Sequence, residues 1–64
     1  MIKNHHLLRF IRLPEVLNRT GLSRTTVYRL MAINEFPRQI PLGSRIVVWN
    51  EKEIEQWMKE KLRG

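Results

Sequence analysis

The sequence has no cysteine and no aspartate, only three glycines and three prolines, and few aromatics, 8% of its 64 residues. Each scarcity removes a class of protein. Without cysteine there is no disulfide framework, no thiolate metal site and no cysteine nucleophile. No apolar run approaches the roughly 20 residues that a membrane-spanning helix needs. The opening Met1-Ile2-Lys3-Asn4-His5-His6 lacks the apolar stretch and small-residue cleavage site of a signal peptide, so the cytoplasm is the expected compartment. His5 and His6 are adjacent with no third ligand nearby and are not read as a metal site. No nucleophile is paired with a base and no glycine-rich phosphate loop is present, so neither an enzyme nor a cofactor is expected. A chain of this length is one small domain, with no room for both a full core and a deep substrate cavity.

What is present is positive charge, unevenly placed. Twelve Lys and Arg stand against six Glu, a formal charge of +6. Residues 51–64 hold Lys52, Lys59, Lys61 and Arg63 against Glu51, Glu53, Glu55 and Glu60, so they are neutral. The whole excess therefore lies in residues 1–50, where seven of the eight basic residues are Arg. Arg forks onto phosphate and guanine better than Lys does. A polyanionic partner follows, double-stranded DNA first; no basic amphipathic helix exposes the large apolar residues that membrane-surface binding would use.

Residues 1–7 lack periodicity and are read as a flexible N-terminal tail; residues 8–64 form the domain. Leu8–Leu13 reads as a short strand or extended lead-in. Pro14 suits the first turn of a helix over Pro14–Thr20, and Gly21 suits its left-handed end. Ser23 is a good N-cap for a second helix, Arg24 to about Asn34, with Val27, Leu30 and Met31 on one face and Thr25, Tyr28, Arg29 and Ala32 on the other. Phe36-Pro37 ends it. Arg38–Leu42 and Arg45–Trp49 read as a β-hairpin with its tip at Gly43-Ser44. Asn50 caps a last helix to about Leu62, with Glu53 in a capping-box position, an apolar stripe of Ile54, Trp57, Met58 and Leu62, and a Glu55–Lys59 pair at i, i+4. The expected core takes Phe10, Val16, Leu17, Leu22, Val27, Leu30, Phe36, Ile46, Val48 and Ile54. Trp49 and Trp57 join it, and are not read as base-stacking platforms.

Two short helices around the turn Thr20-Gly21-Leu22-Ser23 make a helix-turn-helix signature, and the basic hairpin is placed to serve as a wing. The fold class is thus α+β, mostly helical: a small winged helix-turn-helix domain. Ser23, Arg24, Thr25, Thr26, Tyr28 and Arg29 would form the recognition surface. Arg reads guanine bidentately, Thr meets a thymine methyl or a phosphate, and Ser23 adds a phosphate contact from the helix N-terminus. Tyr28 would reach a phosphate through its hydroxyl or else pack against the wing. Ser44 and Arg45 would be the wing contacts, with Arg19 and Arg38 as weaker backbone contacts.

From Arg9 to about Lys59 the sequence resembles the AlpA-type regulators of phages and prophages. These are relatives of excisionases and of the DNA-binding domain of MerR-type regulators. The resemblance rests on Arg12-Leu13, Glu15-Val16, Thr20-Gly21-Leu22-Ser23-Arg24, Val27-Tyr28-Arg29, Phe36-Pro37, Leu42-Gly43, Arg45, Trp49, Ile54 and Trp57. At Ile33-Asn34-Glu35 it departs from the family's usual Gly, and Asn34 is expected to take the left-handed cap instead. The resemblance implies a bacterial, nucleoid-associated transcription regulator that binds DNA sequence-specifically and controls an integrase or prophage excision. An excisionase that bends DNA and recruits an integrase is the alternative. A small inhibitor docking through the neutral last helix is the reading from another class. An integrase or RNA polymerase is the further partner to consider. A monomer in solution, cooperative on DNA at repeated sites, is expected.

Overall fold

The computed structural model describes residues 8–64, so the expected tail, with His5 and His6, lies outside the described residues. The elements follow the order β1 (Phe10–Ile11), α1 (Leu13–Thr20), α2 (Arg24–Ala32), β2 (Ile40–Pro41), β3 (Val47–Asn50) and α3 (Glu51–Arg63). The strands make one antiparallel sheet in the order β1-β3-β2, with Ile11 opposite Trp49 and Ile40 opposite Val48. This is the small α+β winged helix-turn-helix architecture that the order of sequence signals implies.

Local chemistry sets the helix ends. Pro14 occupies the first turn of α1, where its missing N–H costs nothing. Gly21 closes α1 at φ 76°, its N–H donating to the Leu17 carbonyl at 2.8 Å. A side chain at that φ is strained, which is the physical need for glycine there. Ser23 caps α2: its Oγ accepts from the Thr26 amide at 3.2 Å. At the other end Asn34 adopts φ 60°, and the Asn34 and Glu35 amides donate to the Met31 and Leu30 carbonyls at 3.0 and 2.8 Å. That pair of bonds is a Schellman closure, which stops α2 at Ala32, two residues before the expected end. Asn50 caps α3 through the Lys52 amide at 2.9 Å, one residue earlier than a bond to Glu53 in a capping box would place it.

The core gathers Ile11, Val16, Val27, Phe36, Trp49 and Ile54, with Leu13, Leu17, Leu22, Leu30, Met31 and Trp57 packed around it. Two indoles tie the α2–β2 connection to this core. Trp49 Nε1 donates to the Pro37 carbonyl at 3.2 Å and Trp57 Nε1 to the Glu35 carbonyl at 2.8 Å. Trp57 also meets the Phe36 ring edge-on, centroids 4.8 Å apart. Both tryptophans are thus occupied in packing.

Phe10, Ile46 and Val48, expected in the core, are not in this cluster, though Val48 is buried, and Leu62 of the expected α3 stripe is exposed. Phe10 is 56% exposed because strand alternation turns Ile11, not Phe10, toward the helices. Ile46 is 43% exposed because it lies before β3, where the Leu42 amide donates to its carbonyl and closes the hairpin. Leu62 is 86% exposed because α3 outruns the body it packs on.

Candidate nucleic-acid interface

The arginines divide into two populations. Arg9 and Arg19 are held by carboxylates where β1, α1 and α3 meet. Arg19 takes Glu15 at 3.0 Å, Glu55 at 3.6 Å and Glu51, whose same oxygen also receives Arg9 at 3.1 Å. The Glu51 side chain is only 13% exposed, so its charge is answered within the protein. The Glu15 hydrogen bond, with the charges of Glu51, Glu15 and Glu55 outweighing some desolvation, raises the Arg19 guanidinium above its ordinary pKa. A raised basic group contributes its stability in full below its unfolded pKa and loses it as pH rises through the folded one, so this contribution is complete at neutral pH. Glu55, expected to pair with Lys59 along the helix, faces Arg19 instead. A sequence periodicity sees only neighbours on its own helix.

Arg12, Arg24, Arg29, Arg38, Arg45 and Arg63 form the other population, of which Arg24, Arg29, Arg38 and Arg45 lie on or beside α2 and at the hairpin bend. All six are exposed, and none has a carboxylate partner among the described residues. Three follow from α2 and what succeeds it. Helix α2 contains no acidic residue and buries Val27, which turns Arg24, Thr25, Tyr28 and Arg29 outward. The Arg24 guanidinium lies 6.0 Å from the Tyr28 ring centroid, a cation–π contact that steadies an otherwise long, free side chain. Tyr28 is 36% exposed and lines an open groove with Met31, Ala32, Arg38 and Gln39. The groove brings Arg38 beside the outer face of α2. It also adds Gln39, which sequence reading did not single out because nothing in Pro37-Arg38-Gln39 shows which way a residue before a two-residue strand will face.

Ser23 and Thr26 are more committed. Ser23 Oγ donates to Thr26 Oγ1 at 3.0 Å while accepting from its amide, so the two hydroxyls are coupled at the α2 N-terminus. Thr26 is only half-exposed, whereas Ser23, Arg24 and Thr25 are open. The amides of Arg24 and Thr25, at the start of α2, have no intrahelical partner and add positive potential there. Ser44 and Arg45 sit at the exposed bend that joins β2 to β3. Gly43 beside them has no left-handed φ, and a Cβ built on it meets nothing within 4 Å. The fold itself does not require glycine at 43. Arg12, exposed at the N-cap of α1, is a further unpaired cation that sequence reading passed over.

Residues 9–62 match the family described as prophage CP4-57 regulatory protein (AlpA). The chain belongs to the AlpA family. Among curated relatives, the DNA-binding transcriptional activator AlpA of Escherichia coli (strain K12) is 31% identical over 68 residues, covering 97% of each chain. A protein of Enterobacteria phage P4, named uncharacterized protein ORF88, is 45% identical over 56 residues, covering 88% of this chain. This chain spans 64% of the phage protein's length. Every candidate residue, from Arg19 to Arg45, lies inside the AlpA match.

Proposed function

We propose that this AlpA-family chain is a sequence-specific DNA-binding transcriptional regulator, acting on integrase expression or prophage excision. The observation that carries the reading is the segregation of arginines. Those at the β1–α1–α3 junction are neutralised by glutamates, while Arg24, Arg29, Arg38 and Arg45, on or beside the helix-turn-helix and at the hairpin tip, are left unpaired. Unpaired arginines held at fixed positions are what a phosphate backbone and guanine edges require. In this reading α2 enters the major groove with Arg24, Thr25 and Arg29 toward the bases. Tyr28, Arg38 and Ser23 meet phosphates, and Thr26 acts through the Ser23 cap. Ser44 and Arg45 rest on the backbone beside the groove, and the bare Gly43 lets the hairpin come close. Arg19, committed to three carboxylates, is left out of the surface. An integrase or RNA polymerase would be engaged from the faces that DNA leaves free.

Selection of duplexes from a random-sequence pool tests this. The expected result is one recovered motif, with Arg29→Ala relaxing it at a single base at a cost of about 1–3 kcal/mol there. Recovery of unrelated sequences alone would refute sequence-specific recognition.

A further inference from the structure

The groove beside α2 offers more than a charge. Tyr28, Met31 and Ala32, at i, i+3 and i+4 on α2, line one side of it, and Arg38 and Gln39 form the opposite lip. The space between them is about 290 Å³. Both sides are anchored. Met31 packs against the core cluster, and the Tyr28 ring carries the Arg24 guanidinium 6.0 Å from its centroid. The lip is a two-residue span pinned at each end. Before it, the Pro37 carbonyl accepts from Trp49 Nε1 at 3.2 Å; after it, Ile40 pairs with Val48. Arg38 and Gln39 are thus exposed side chains on a fixed backbone.

The chemistry of the lining selects the occupant. Arg38 and Gln39 supply N–H donors, and no acid lines the groove, so the polar end of what sits there is an anion. Met31 and Ala32 supply a thioether and a methyl, which suit an apolar body and give a hydroxyl no good partner. A bare phosphate would use the lip alone. A base would leave the Arg38 charge unanswered. The unit of duplex DNA that has an apolar edge beside an anion is the deoxyribose with its phosphate. The groove is also continuous with the outer face of α2, since Tyr28 belongs to both. We infer that the groove seats one deoxyribose–phosphate unit of the strand bordering the major groove, its phosphate on Arg38 and Gln39 and its C2′ edge on Met31 and Ala32. The seat makes Gln39 a binding residue and gives the protein a means of telling deoxyribose from ribose. A 2′-hydroxyl there is desolvated without a partner, which weakens binding roughly 5- to 150-fold. This seat rests on the DNA-binding reading and names the chemical unit taken at one place on it.

Ala32 is the one alanine in the chain, so a ¹³C-labelled alanine methyl reports this groove alone. The full chain, otherwise deuterated, is bound to a duplex of roughly 12 base pairs, about one helical turn. Nuclear Overhauser contacts from the Ala32 methyl should reach the H2′ and H2″ protons of a deoxyribose. Contacts to base protons or thymine methyls alone, or none at all in a complex that forms, overturn the seat. Affinity supplies the second measurement, on the duplex recovered by selection, with a single ribonucleotide placed at each position in turn. One position should weaken binding roughly 5- to 150-fold. Ala32→Ser, which offers the 2′-hydroxyl a partner, should recover most of that loss at that position. A neutral methylphosphonate at the adjoining phosphate should make Arg38→Gln silent, since both remove the same ion pair. No sensitive position, or a loss that Ala32→Ser leaves intact, overturns the seat while the DNA-binding reading stands. Absence of binding to any duplex overturns that reading and the seat with it.

Discussion

Replacing Arg45 with Gln and, separately, Arg19 with Gln removes the same charge from two surfaces that the structure sets apart. Arg45 stands unpaired on the hairpin bend, whereas Arg19 is enclosed by Glu15, Glu51 and Glu55. Each phosphate neutralised on duplex DNA contributes about −0.9 to the slope of log affinity against log salt. On a random-sequence duplex, where Arg24 and Arg29 have no matched base to read and rest on phosphates as Arg38 and Arg45 do, the four together set a slope of about −3.6, or roughly 150-fold weaker binding between 50 and 200 mM salt. Arg45→Gln should bring the slope to about −2.7, a loss of roughly 40-fold over the same range. Arg19→Gln should keep the slope at about −3.6, because no counterion is displaced by a guanidinium already paired within the protein. Its effect should be on folding, as a lower Tm. Fluorescence anisotropy with a labelled random-sequence duplex reads the slopes, and thermal denaturation by circular dichroism reads Tm. Equal loss of slope in both variants would refute the division of the arginines.

Other consequences follow from single contacts. Gly43→Ala should leave Tm unchanged, since the added Cβ meets nothing, while lowering DNA affinity if the hairpin lies against a backbone. Gly21→Ala should cost about 1–2 kcal/mol, because φ 76° is the left-handed region, which lowers Tm by roughly 7–15 °C in a domain this small. Ser23→Ala should cost about 1 kcal/mol through loss of the α2 cap, read by denaturant unfolding. Ile54→Ala should remove about 2–5 kcal/mol from the fully buried core. That matches most of the roughly 3–5 kcal/mol such a core supplies, so the variant should be largely unfolded by circular dichroism.

The parts legible in the sequence were those decided within a few residues of chain. Gly21, Ser23, Asn34 and Asn50 each mark a helix end by their own backbone or side-chain chemistry, and the structure places a helix boundary at each. The outward face of α2 follows from Val27, Leu30 and Met31 by periodicity alone. What stayed hidden depends on which element packs against which. Phe10 and Ile11 are both apolar neighbours on a two-residue strand, and only the pairing with Asn50 and Trp49 decides which one faces the helices. Glu55 has Lys59 four residues away, but tertiary packing brings Arg19 closer to it. Leu62 continues the α3 stripe past the end of the body, where there is nothing to bury it. The division of arginines into paired and unpaired is likewise invisible in composition, since all contribute alike to the +6.

The outer face of α2 and the hairpin tip are the surfaces proposed to meet duplex DNA, with α3 facing away. Amide chemical-shift mapping by NMR, during titration with a short duplex, measures this residue by residue. Shifts should concentrate at residues 23–29, 38–39 and 43–46, with residues 53–61 unmoved. Shifts concentrated on α3, with residues 23–29 silent, would contradict it.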